Sequence, residues 1–174
     1  MPRLAYVTDA GDNETTYFDA VLRPMVHPRT GEKLVWQRIL DFYHAMERVW
    51  TLADVLFGDD TRGRWAWGRR MGTLLKKPNG PFRVLHAAAA LKARRVLNGV
   101  AGAEYQKASN YLRTRTQWMQ YAEYARLQLP LGSGIVEAAC KTIYTQRLKL
   151  SGMRWTKAGA QVIPGWAHYE PVTL

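Results

Sequence analysis

Glu137 is the one acid in a base-rich stretch, GSGIVEAACKTIYTQRLKLSGMRW, from Gly132 to Trp155. A Gly-Ser-Gly turn opens the stretch, and the spacing predicts a helix after it. Ile135, Val136, Ala139, Cys140 and Ile143 recur at three- and four-residue steps, the stripe that a buried helix face needs. At about 100° per residue, Glu137, Lys141, Tyr144 and Leu148 share another face. Ser151-Gly152 supplies the stop, because glycine accepts the left-handed cap. On spacing alone, the Glu137 carboxylate complements the positive end of its helix and pairs with Lys141. Three further acids sit where short elements begin or end. Asp9 and Asp12 flank Gly11, just after the strand-like Leu4-Ala5-Tyr6-Val7. Such acids belong to turns and caps. Asp41 precedes a helical run with His44 one turn in. By type, Asp41 is a helix cap and His44 a half-buried imidazole.

The wording GSG-x-V-E-A-A-C-K, followed by Q-R-x-K-x-S-G-M-R-W, resembles the C-terminal catalytic motif of DDE-type insertion-sequence transposases. The group it resembles is the ISKra family, kin to the Mutator-like transposases. In that family the Glu of this motif is the third metal-binding acid of an RNase H-like core, which implies that role for Glu137. The resemblance extends upstream. A strand ending in Asp, a helix, and a strand reading W-Q-R-x-x-D-F-Y-H look like the middle of the same core. This implies Asp9 as the second catalytic acid, with Asp12 as the alternative, and places the D-x-x-H motif on Asp41 and His44.

The implied chemistry is phosphodiester cleavage at element ends, then strand transfer into target DNA. It needs carboxylates that hold two divalent ions about 3.5–4 Å apart. Hard oxygen donors suit Mg²⁺ or Mn²⁺, with Asp9 and Glu137 as the implied ligands. Lys141 and Arg147 are placed to contact phosphates, as point charge and fork. Lys149, Arg154, Arg113 and Arg115 join them as expected nucleic-acid contacts. The family's first catalytic Asp lies on a strand well upstream, and no acid precedes Asp9. The expectation is therefore a C-terminal part of such an enzyme, inactive alone. The alternative is a non-catalytic basic DNA- or RNA-binding protein, or an inhibitor of an intact transposase. Expected partners are DNA ends, target DNA, and a second copy or an intact transposase.

The charge pattern agrees with a polyanion partner. Residues 1–60 hold six Lys/Arg and ten Asp/Glu, a net −4, and residues 61–174 hold nineteen and four, a net +15. Solubility alone does not call for such asymmetry, and nucleic acid is the natural inference. The single cysteine, Cys140, excludes an intrachain disulfide and favours a reducing compartment. Met1 to Thr8 lacks a secretory apolar core, and the apolar run Val84 to Leu91 is too short to span a bilayer. The expected setting is cytoplasmic and nucleoid-associated, with no membrane.

The elements that must position these residues read as strand–helix–strand–helix, then helices. The pattern predicts a strand at Leu4–Val7, a helix over Thr15–Met25 capped by Asp12 or Asn13, and a strand over Leu34–Leu40. It predicts helices over Phe42–Phe57, Arg64–Lys77 and Phe82–Leu97, with His86 on an apolar side as a core residue. A longest helix is expected over Ala103–Leu127, its aromatics interleaved with bases. Such interleaving stacks nucleobases, or is simply core plus a solvated face. The expected fold class is a mostly helical α/β fragment, a partial RNase H-like core interrupted by an all-α insertion. Residues 1–44 would be partial core and 45–130 the insertion. Residues 131–163 would be the catalytic-type helix with continuation of the core, and 164–174 a loosely ordered tail.

Overall fold

The computed structural model describes residues 4–134. The chain divides into two compact units, residues 1–132 and 133–174, and the fold described here is that of the first. It is mostly helical, with one small parallel sheet. Strand β1 (Leu4–Thr8) pairs in parallel with β2 (Trp36–Leu40), in a register that sets Leu4 against Trp36 and Thr8 against Leu40. Parallel neighbours need a crossover, and here α1 (Asp12–Tyr17) with a π-helical turn at Phe18–Leu22 supplies it. The helix begins three residues earlier than the sequence predicts and stops short of Met25. Gly11 is the N-cap, so Asp12 is the first helical residue rather than the cap. The second strand starts at Trp36 rather than Leu34, because Lys33 makes an isolated antiparallel bridge to Val26.

Helix α2 (Phe42–Phe57) has the predicted bounds. Asp41 caps it, Oδ1 accepting from the amides of Tyr43 at 2.7 Å and His44 at 3.4 Å. Gly58, at φ 55°, ends it. The buried face is Ala45, Val49, Leu52, Ala53 and Leu56, with Phe42 and Met46 packed at its margin. Helix α3 (Thr61–Leu75) starts from Asp60, whose Oδ1 accepts from the Gly63 amide at 2.9 Å. It packs closely on α2 through small residues. A Cβ on Gly68 would fall 2.0 Å from the Trp50 ring, and one on Gly72 would meet Met46 at 3.1 Å. Helix α4 (Gly80–Lys92) follows a tight turn in which a Cβ on Gly80 would lie 2.4 Å from the Leu75 carbonyl oxygen. Pro81 suits the first turn, where no amide partner is lost.

Two helical expectations are corrected. Helix α4 ends at Lys92 rather than Leu97, because the amides of Arg94 and Arg95 fold back to Leu91 and Lys92 in a tight turn. His86 is exposed, not a core residue. The long helix over 103–127 is two. Helix α5 (Gly99–Thr114) gives way to a 3-10 turn at Thr116–Trp118, and α6 (Tyr121–Arg126) follows. The break lets buried side chains reach the strands. The Tyr121 hydroxyl donates to the Leu40 carbonyl at 3.0 Å, and Met119 is fully buried.

One core joins strands and helices. Ala10, Ile39 and Leu40 belong to the same cluster as Val49, Leu52, Leu75, Val84 and Leu112. The position 44/45 falls inside α2, so no break separates the βαβ part from the helices that follow. No helix among the described residues is long and apolar enough to cross a membrane.

Candidate functional site

The carboxyl edge of the β1–β2 pair gathers most of the predicted residues that the structure describes. The last paired residues are Thr8 and Leu40, so Asp9 and Asp41 follow side by side. The Asp41 amide donates to the Thr8 carbonyl at 2.8 Å, which ties the two strand ends together. In open parallel sheets this edge is where ligands are held.

The two acids differ in their setting. Asp9 is exposed, and its Oδ1 accepts from the Gly11 amide at 3.0 Å. Between them Ala10 takes φ 54°, a left-handed conformation that an alanine rarely adopts, and it is buried. Helix α5 holds this turn from outside. The Tyr111 hydroxyl donates to the Asp9 carbonyl at 2.7 Å. The Arg115 guanidinium donates to the Ala10 carbonyl from Nε at 3.3 Å and from its Nη2 at 3.1 Å. Arg48 and Arg115 also approach the Tyr111 ring, at 4.9 and 4.1 Å from its centroid. Burial pushes the Tyr111 phenol above its ordinary value. The Asp9 charge adds to that effect, and Arg115 and Arg48 oppose it.

Asp41, by contrast, is buried beneath the start of α2. Gly132 closes over it. A Cβ there would lie 3.0 Å from the Tyr43 ring and 3.7 Å from Asp41 Oδ2. The Leu131 carbonyl accepts from the Phe42 amide at 2.8 Å. The first glycine of the GSG turn therefore sits against the D-x-x-H segment, although the two lie far apart along the chain. His44 does not turn its ring to Asp41. Its Nδ1 lies 3.1 Å from Glu47 Oε2, one turn further along α2.

Of the other predicted residues described, Asp12 and Arg113 lie apart from the Asp9 turn, whereas Arg115 reaches into it. Asp12 is exposed on the first turn of α1, where its charge suits the helix dipole. Arg113 is exposed and donates to Asn110 Oδ1 at 2.7 Å. Arg115 is half-buried, its head group turned onto Ala10. Glu137, Lys141, Arg147, Lys149 and Arg154 lie outside the described residues. Among the described residues, no three His, Cys, Asp or Glu side chains form a group that could hold a metal ion. Asp9 does fit a hard cation, as an exposed carboxylate oriented by a backbone amide.

Sequence reasoning misses Tyr111 and Arg48 as supports of the Asp9 turn, and the left-handed Ala10. Tyr111 is visible there only as one aromatic of a helix. No signal in the sequence marks Ala10. Arg38 is missed too. It is buried on β2, hydrogen-bonded to Thr15 Oγ1 and stacked over the Trp118 ring at 3.7 Å, and burial lowers its pKa. No family model, curated protein or solved structure matches this chain.

Proposed function

We propose that the chain carries part of the catalytic domain of a DDE-type transposase with an RNase H-like core, acting in metal-dependent cleavage and strand transfer of DNA. The supporting observation is the position of Asp9. It is an exposed acid at the carboxyl end of a parallel strand, in a turn held by Tyr111 and Arg115. Asp9 and Glu137 would be the ligands of Mg²⁺ or Mn²⁺, with Asp12 as the alternative to Asp9. When bound, such ions stabilise charge on phosphodiester oxygens as Lewis acids. The chain's own part is positional. The Gly11 amide fixes one Asp9 oxygen, and Tyr111 and Arg115 keep the turn from opening.

A second reading, a non-catalytic basic DNA- or RNA-binding protein, is favoured by Asp41. Its carboxylate serves as the cap of α2, and His44 faces Glu47 instead of Asp41. The two readings separate on metal uptake. Mn²⁺ binding followed by electron paramagnetic resonance, with and without duplex DNA, is expected to be saturable. Asp9→Asn and Glu137→Gln should each weaken it by at least about tenfold, since each removes a hard ligand. Saturable uptake unchanged by both substitutions, or no uptake with DNA present, would leave the second reading standing.

A further inference from the structure

Between Thr61 and Ala103 the chain carries ten Lys/Arg and no Asp or Glu. The fold turns this bias into shape. Two shallow concavities flank the C-terminal half of α3. One, of about 540 Å³, is lined by Arg70, Lys77 and Arg83 together with Thr73, Leu74 and Pro78. The other, of about 430 Å³, is lined by Arg69, Lys76 and Lys77 over a floor that includes Phe42 and Trp50. Lys77 and Thr73 belong to both, so the two form one surface that straddles the helix. The five bases are exposed, and none forms an ion pair with another described residue.

We infer that this surface, α3 from Arg69 with the first turn of α4, is a binding face for the phosphodiester backbone of duplex DNA. It lies on different elements from the Asp9 turn and does not depend on a metal. The length fits. Arg69 to Leu75 spans about 9 Å of helix at 1.5 Å per residue, and Lys76 and Lys77 continue it in the turn that follows. Laid along the duplex axis, that faces about three phosphates of one strand, which rise about 3.4 Å each along the axis. The arrangement also points to backbone rather than bases. Lys76 Nζ covers the Phe42 ring at 4.3 Å, and Trp50 is packed edge-on against Trp65 at 5.0 Å and beneath Gly68. Phe42 and Trp50 form the floor and offer no free face for stacking, and the exposed Phe82 on the first turn of α4 lines neither concavity. With no acid in the surface and no base-reading side chain fixed in place, binding is sequence-independent and strongly salt-dependent.

The test is fluorescence anisotropy of the full chain with a short labelled duplex of arbitrary sequence, over a range of salt. The variant R70A/K76Q/K77Q should lose at least about tenfold in affinity. Its slope against log salt should fall by about 2–3, near 0.9 for each phosphate no longer neutralised. A variant with the same charge change elsewhere, R29A/K33A/K107A, should keep most of both. All six side chains are exposed, and unchanged melting temperatures verify that both variants fold. With EDTA present and no divalent ion, the parent should bind the duplex and the first variant should still lose affinity, so failure of the metal reading and failure of this one are separable. Equal loss in both triple variants, or none in the first, overturns the inference. So does polyglutamate competing as well as duplex at equal charge, which would mark the face as a dock for an acidic protein.

Discussion

At the end of β1 nearly every polar group is tied to a neighbour, whereas from Arg69 along the rest of α3 and into α4 the bases face solvent with no ionic partner among the described residues. Asp9 is fixed by Gly11, its turn by Tyr111 and Arg115, and His44 by Glu47. Arg69, Arg70, Lys76, Lys77 and Arg83 have no carboxylate among the described residues to neutralise them. On the proposed reading, the contrast separates two ways of handling a polyanion. A region that positions needs short, oriented hydrogen bonds from a rigid frame, because a carboxylate misplaced by an ångström loses its ligand geometry. A region that only attracts needs charge density, and long side chains free to follow the phosphates serve it well. Both regions rest on α2, which shares its core with Ile39 and Leu40 of β2 and packs on Gly68 and Gly72 of α3.

That shared helix gives the largest expected effect. Leu52 is fully buried in the common core. Leu52→Ala should cost about 2–5 kcal/mol by lost burial and the cavity left. Because one core spans strands and helices, the loss should appear as a single earlier transition. Urea unfolding followed by tryptophan fluorescence and by far-ultraviolet circular dichroism should give coincident midpoints in parent and variant. Separate midpoints would show that the two regions are distinct cooperative units, and the comparison would then be one between domains.

A smaller effect comes from the tyrosine that joins α6 to β2. Burial, then the Asp41 charge, pushes the Tyr121 phenol far above its ordinary value of 10.0. The folded chain keeps this phenol protonated where the unfolded chain ionises it. Its contribution is therefore intact below about pH 10 and lost as pH rises above it, by about 1.4 kcal/mol per pH unit. Tyr121→Phe forfeits the hydrogen bond to Leu40, about 1 kcal/mol near neutral pH. It should also flatten the alkaline decline, read from urea midpoints between neutral pH and about pH 11. An unchanged decline would mean that other buried tyrosines, Tyr124 among them, govern it.

What was legible in the sequence follows from how local each signal is. Helix α2 and its Asp41 cap were readable because cap, period and terminal glycine lie within one short stretch. The two strands were readable as β-rich runs with a helix between them. The break after Thr114 was not, because its causes are distant. Arg115 reaches Ala10 and Tyr121 reaches Leu40, and both partners lie far back in the chain. His86 sits on a stretch of apolar residues and still faces solvent, since the buried face of α4 narrows to Val84 and Ala88. At the candidate site, the acid at the strand end was legible and its supports were not. A hydroxyl that holds a carbonyl from another helix leaves no periodic trace.

Ala10 offers the smallest effect and a contrast in sign. Its φ of 54° costs an L-residue roughly 1–2 kcal/mol. Glycine would relieve that, give back about 0.5–1 kcal/mol in chain entropy, and lose one buried methyl, about 0.8 kcal/mol. Ala10→Gly should therefore leave stability within about 1 kcal/mol of the parent. The same change at Ala88, buried in α4, relieves no strain. It should cost about 2 kcal/mol, from helix propensity and the methyl together. Melting temperatures of the two variants decide the matter. If Ala10→Gly falls as far as Ala88→Gly, the turn beside Asp9 is not strained, and Tyr111 and Arg115 merely decorate a relaxed loop. If the two diverge as expected, the α5 contacts hold a turn that the sequence alone would not adopt. That is how a region built to position would differ from the solvent-facing bases of α3.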